Sequence, residues 1–591
     1  MIMSSLHPTL LFFAGAVLLW FLPMIGRRAL ILLVPATAFF VISQLEPGSY
    51  YGYQLFGFDL NLLRVDKLSK AFGYVFALNA FGCFLFAQHL KDRYEHTAAL
   101  TYIGAALGAI FAADLISLYL FWEVMAVTST FLVLARKTER SYKAAFRYVM
   151  AHIFGGLCLL AGILLQVNAT GSVAFDGFDI QGLPTYLILI GFLINAAAPP
   201  MNAWLSDAYP EATVTGGVIM TAYTTKTAVY TLIRGFAGWE ILMVVGCCMA
   251  IYGIIWAILE NDMRRILAYS IMNQVGFMVC GIGIGTAMAL NGAVAHAFAH
   301  IIYKALLWMS AGAVLYMTGK SKCTELGGLY KTMPLTMIFG TIGALAISSF
   351  PFLSGYTTKP MIIVAGVNEQ LFWVWLILEI ASAGVFLHAG IKFPYFVFFA
   401  KDNGLRPGEP PRHMLAAMAL LSFVCIFIGV YPQPLYDILP FGSVEFHAYS
   451  FEHTLGQFQL LMFSALAFFM LLPLLKRTET ISIDTDWFYR KGGRLFYRFC
   501  QWAFDGINDW ANRIFAQQFP KLLAQFFDEP GGNLQKYAYR LWVESSGLDG
   551  DHARIEQSID SRSRNAAYPI GVGVLLAVLI LALVSFVLYL K

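Results

Sequence analysis

The chain has 591 residues, of which 59% are hydrophobic and only 13% are charged. Soluble domains carry about 25% charged residues, so a water-soluble globular fold is excluded. The net charge of +4 is small and spread out, which gives nucleic acid no basic patch to hold.

Many apolar runs reach the roughly 18 residues that mark a membrane-spanning helix. The expected fold class is an all-α polytopic membrane protein of about sixteen spans, near 9–25, 29–45, 69–90, 97–113, 114–135, 143–167, 184–200, 213–234, 240–260, 265–285, 288–317, 335–357, 370–399, 413–432, 457–475 and 567–590. A polar, aromatic loop separates the second and third. The first run lacks a basic leader and is followed by Arg27 and Arg28, so no cleaved signal is expected. Alternate loops hold Lys91/Arg93, Arg136/Lys137/Arg140, Arg264/Arg265, Lys320/Lys322/Lys331, Lys401/Arg406/Arg412 and Lys476/Arg477, while the opposite loops hold mainly Arg64 and Lys67. Positive residues stay inside, which places the N-terminus outside a cell membrane.

The organisation follows from these spans. Residues 1–96 are N-terminal helices. Residues 97–234 and 235–400 form two blocks of five. Residues 401–477 add two spans, 478–565 a surface segment, and 566–591 a last span. The fourth helix of each block is interrupted by proline, at Asn195–Pro210 and at Ser348–Pro360. An odd block length means that the second block enters from the opposite face. Paired broken helices in inverted repeats point to an ion or substrate site.

Ionisable residues inside the spans are costly and indicate a proton or ion path. His296, His300 and Lys304 sit four apart and stack along one helix face, spanning about 12 Å. Glu123 lies well inside the fifth span and Lys226 inside the eighth. Lys359 follows the second break, near the outer end of its span, where a snorkelling side chain is the competing explanation. Glu379, His388 and Lys392 cluster on the thirteenth span, with function and snorkelling evenly weighted.

Eight scattered cysteines show no C-x-x-C pair, so neither a metal site nor a cofactor is expected. There is no Walker loop and no nucleophile elbow, so the chain has no catalytic centre of its own. The glycines at Gly281, Gly283 and Gly285 read as close helix packing.

Several stretches resemble the antiporter-like subunits shared by respiratory complex I, membrane-bound hydrogenases and Mrp-type cation/proton antiporters. They are FWE ending at Glu123, WLSDAYPEA, TKTAVYTLIR, MRRILAYSIMNQVGF, AHAFAHIIYKALLWMSAG, ELGGLYKTMP and SSFPFLSGYTTK, within roughly residues 60–400. The lysine four before tyrosine in TKTAVYTLIR is most similar to the D-type antiporter protein. The resemblance implies half-channels joined by a polar axis through Glu123, Lys226, His296, His300, Lys304 and Lys359. It implies partners too: other subunits of a membrane complex, protons, sodium and lipid. Two positions depart from the pattern. Asn195 stands where such proteins usually have a lysine, and Asn202 where a histidine or glutamine is common. Asparagine cannot take up a proton, so Glu123 lacks its expected partner and the first half-channel is expected to be weakened or bypassed through Lys226.

Leu495, Phe499, Trp502, Trp510 and Ile514 fall at helical spacing with Arg494, Arg498 and Arg513 interleaved. This predicts an amphipathic helix on the cytoplasmic membrane surface, broken at Pro520 and at Pro530-Gly531-Gly532. A lateral helix followed by one span resembles the L-type membrane protein of complex I. Three functions remain open: a D-like component of a cation/proton antiporter, the membrane arm of an NADH-quinone oxidoreductase or hydrogenase, and a non-pumping scaffold or part of an inorganic-carbon uptake complex.

Overall fold

A computed structural model describes residues 5–55, 57–178, 181–443, 446–473, 484–528, 530–546, 552–564 and 570–589. The chain divides into two units, Met1–Trp487 and Phe488–Lys591. The expected basic pair Lys476/Arg477 lies outside the described residues.

The first unit opens with α1 (Pro8–Leu18) and α2 (Met24–Gln44). The stretch expected to be a loop is instead an antiparallel hairpin, β1 (Gly48–Leu55) and β2 (Phe58–Val65), pairing Gly48 with Val65. In β2, Leu63 and Val65 lie two apart and share one buried face, while Leu60 is buried on the other. Next come α3 (Lys67–Phe86), α4 (Arg93–Phe111), α5 (Leu115–Leu134), α6 (Glu139–Thr170), α7 (Leu183–Asn195), α8 (Ala203–Ala208), α9 (Val214–Met220) and α10 (Thr224–Phe236). The second block holds α11 (Ile241–Leu259), α12 (Met263–Ile284), α13 (Ala287–Thr318), α14 (Pro334–Ile347), α15 (Ser354–Asn368) and α16 (Phe372–Val385), the last continuing into π-helical turns at Phe386–Lys392 and Tyr395–Phe399. Then follow α17 (Arg412–Val430), α18 (Gln433–Tyr436) and α19 (Phe451–Met470).

The protein is thus a polytopic helical membrane protein. Ten of its described helices are long and apolar enough to cross a bilayer. That is fewer than the sixteen spans expected, and some of the expected spans are built from shorter pieces. The eighth is split at Thr221–Tyr223 and the twelfth at 348–353, so the latter extends to Asn368 rather than residue 357. The first split has no proline to mark it, which concealed it.

Parts of the two stretches recur at a fixed offset in the chain. Adding 148 to the residue numbers of α4 gives the bounds of α11, and adding 148 to those of α6 gives the bounds of α13. Asp114 caps α5 and bridges to Ala174, just as Asp262 caps α12 and bridges to Lys322. The amide of Leu115 donates to Val173 O at 2.8 Å and that of Met263 to Ser321 O at 2.9 Å. Both 32-residue helices, α6 and α13, end in a left-handed glycine, Gly171 and Gly319, a conformation glycine adopts without a Cβ clash.

Helix α13 runs through the centre, buried from Ala289 to Val314 apart from Phe298. Against it, α11 and α12 meet backbone to backbone. A Cβ on Gly276 would lie 2.6 Å from the Ala250 amide, and one on Gly253 2.6 Å from that of Asn273. Gly283 likewise faces the α11 backbone, in keeping with the packing role expected of the glycine run. Gly276→Leu should therefore force α11 and α12 apart at a cost of about 3 kcal/mol. Thermal denaturation in detergent checks this, and an unchanged midpoint would contradict it.

From Asp486 onward the chain forms α20 (Asp486–Ala511), whose first two residues belong to the first unit, then π-helical turns at Asn512–Gln518, α21 (Phe519–Asp528), α22 (Pro530–Ser546), α23 (His552–Arg564) and α24 (Ile570–Tyr589). Pro520 was expected to end the lateral helix, yet helical structure runs through it to Asp528. Proline cannot donate to the residue four back and its ring crowds that carbonyl. The wider π turns just before it relieve the conflict.

Candidate functional site

His296, His300 and Lys304 lie buried on α13, as their spacing predicts. His296 Nε2 donates to Gln274 Oε1 at 3.1 Å, and Tyr303 Oη donates to the same oxygen at 3.0 Å. Gln274 in turn donates to Asn273 Oδ1, and Asn273 Nδ2 to Ala250 O at 2.7 Å. Among the described residues, neither nitrogen of His300 has a hydrogen-bond partner, nor has Lys304 Nζ.

Lys226 opens α10 directly after the Thr221–Tyr223 break. Its Nζ donates to Thr221 O at 2.8 Å and to Thr225 Oγ1 at 3.0 Å. An interrupted helix frees carbonyls, and the lysine takes one of them. Lys226 interacts electrostatically with Lys304, His300 and His296.

Lys359 is buried, not snorkelling. It sits in the second turn of α15, with its Nζ 2.8 Å from Ser382 Oγ and 5.5 Å above the Phe277 ring. The break at 348–353 shortens α14, which brings Lys359 to the interior rather than to an end. It interacts with Glu379 on α16 and with His296. His388 interacts with Lys304, Lys359 and Lys392. Its Nδ1 donates to Gly384 O at 2.7 Å, while Nε2 is unpartnered. Lys392 is also buried and caps the end of α11, donating to Ala257 O at 3.0 Å and Glu260 O at 2.6 Å. The fold thus gathers Lys226, Lys304, His300, His296, Lys359, Glu379, His388 and Lys392 into one interacting set.

Glu123 stands apart from that set. It is half-buried on α5, and its Oε1 lies where Gly156 of α6 leaves room, without a hydrogen-bond partner. Asn195 ends α7. Asn202 accepts from Thr485 Oγ1 at 3.1 Å, and its Nδ2 lies 3.6 Å from Met272 Sδ.

Two residues at this end of the site were not foreseen. His152 on α6 is buried against Asn195. Asp484, after the last span of the first unit, is buried too. Its carboxylate accepts from Tyr252 Oη, from Tyr269 Oη at 2.6 Å and from Ser206 Oγ at 3.2 Å. His152 carried a signal in its offset of 148 from His300. Asp484 carried none, because it is far in sequence from every partner.

Residues 112–384 match the family NADH:quinone oxidoreductase/Mrp antiporter, transmembrane region. The resemblance seen in the motifs therefore holds over the central helices. The D component of the Na(+)/H(+) antiporter of Alkalihalophilus pseudofirmus is 25% identical over 68% of this chain and 89% of its own length. The A/B component of a probable K(+)/H(+) antiporter of Rhizobium meliloti is 27% identical over 56% of this chain, but only 36% of that relative is covered. Hydrogenase-4 component B of Escherichia coli is 26% identical over 62% of each chain. In fold, the chain matches one in the Mrp complex from Dietzia at a TM-score of 0.67 and 20% identity, over 78% of this chain and 99% of that one. It matches one in the archaeal membrane-bound sulfane sulfur reductase at 0.68 and 23%, over 91% and 98%.

Proposed function

We propose that this chain is the D-like, proton-translocating component of a multi-subunit sodium/proton antiporter, in the cell membrane with its N-terminus outside. The carrying observation is the set of buried ionisable groups running from Lys226 through Lys304 and the histidines to Lys359. Uncompensated buried cations are expensive, and proton exchange gives them a use. The near-full coverage of the D-type relative from Alkalihalophilus supports a D-like role over the other antiporter components. The offset of 148 between the blocks supports reading 97–234 and 235–400 as two half-channels of inverted orientation. Protons would pass between neighbouring groups with water between them, each charge change altering the affinity of the next.

The reading is tested in everted vesicles that hold the complete complex. A sodium pulse should release protons from the vesicle lumen. No response to sodium from an assembled complex would contradict it. A second reading, the membrane arm of a redox complex, draws on the sulfane sulfur reductase match, which extends over 91% of the chain. Proton movement that appears only when an electron donor is supplied would favour that reading instead.

A further inference from the structure

We propose that His152 is the proton-carrying residue of the first block, the counterpart of His300 in the second. The inference rests on the transport reading above and deepens it.

The offset of 148 that superimposes α4 on α11 and α6 on α13 sends His152 to His300, Tyr148 to His296 and Gly156 to Lys304. The first block thus keeps one histidine of the α13 row and loses the lysine. Where that lysine would stand, Gly156 leaves room and the Glu123 carboxylate from α5 fills it. The central helix of each block therefore holds a histidine, with an ionisable group one turn further on: Lys304 from α13 itself, Glu123 from the neighbouring helix.

The local geometry suits proton transfer. His152 is buried, and its Nδ1 lies 2.8 Å from Asn195 Oδ1 at the end of α7. An amide oxygen only accepts, so Nδ1 donates and the neutral ring keeps its free lone pair on Nε2. Among the described residues that nitrogen has no hydrogen-bond partner, and neither has Asn195 Nδ2. A purely structural histidine in an apolar helix would be expected to satisfy both ring nitrogens. The ring is held between Tyr148, with centroids 4.2 Å apart, and Trp204 at 4.7 Å. Trp204 is itself fixed, its Nε1 donating to Ile194 O at 2.9 Å across the break. Aromatic faces of this kind can shelter a transient imidazolium. The charged groups on the packed elements are Glu123 on α5, Glu139, Arg140, Lys143 and Arg147 on α6, and Asp207 on α8, which pairs with Arg147 at 2.6 Å. Asn195 then orients the histidine rather than leaving a gap in the path.

The test uses sodium-dependent proton flux by the complete complex in proteoliposomes, normalised to assembled complex by co-purification of its partner proteins. His152→Gln keeps a donor to Asn195 but cannot titrate, and should lower the flux about tenfold or more. The double variant His152→Gln/Asn195→Lys puts a titratable amine at the same contact and should recover most of that loss. A ring needed only for packing would not be rescued by lysine on the neighbouring helix. Flux within about twofold of wild type in His152→Gln, failure of the double variant to recover, or failure of His152→Gln to assemble would each overturn the assignment. Wild-type complex without sodium-dependent flux would instead remove the transport reading, and this one with it.

Discussion

Lys304→Ala is expected to reduce cation-coupled proton flux about a hundredfold, the scale on which positioned proton carriers contribute. Lys304 is buried in the middle of α13, its Nζ has no hydrogen-bond partner, and it interacts with Lys226 and His388. It links Lys226 on the α10 side of the site to His388 beyond α16. Lys304→Arg should fail as well. A guanidinium keeps the charge but does not release its proton. Near-normal flux in the arginine variant would mean that Lys304 supplies charge alone.

Lys226→Met should cost a similar factor, for a different reason. Lys226 is tied to the carbonyl freed by the Thr221–Tyr223 break, so its amine sits at a fixed point between the α10 break and the α13 histidines. Methionine has nearly the same length and no charge. Methionine removes a buried charge that has no carboxylate partner among the described residues, which offsets the lost bond to Thr221 O. The variant complex should therefore assemble at wild-type yield while flux falls. Loss of assembly along with flux would assign Lys226 to the packing of α10 instead.

Much of this site was legible in the sequence because membrane burial makes charge conspicuous. His296, His300 and Lys304 could be placed on one face from their spacing alone, and Lys226 from its apolar surroundings. Lys359 was misplaced because hydropathy does not reveal where a span resumes after a break. The α9–α10 split was invisible because, unlike the break at 348–353, no proline marks it. The first block misled in another way. Attention to Asn195 suggested a missing proton carrier, while the residue that touches it, His152, lies 43 positions earlier. Hydrophobic periodicity cannot pair such distant positions, although the repeat of 148 could have. Asp484 shows the limit most plainly, since its partners Tyr252, Tyr269 and Ser206 come from three different helices.

The central claim is that these groups form one path rather than several. Flux should be measured in the assembled complex for Lys226→Met, Lys304→Ala and the two combined. If both lysines serve a single series of transfers, the double variant should lose about as much as the worse single variant. A double variant whose loss equals the product of the two single losses would mean that Lys226 and Lys304 act independently, and the single path would be contradicted.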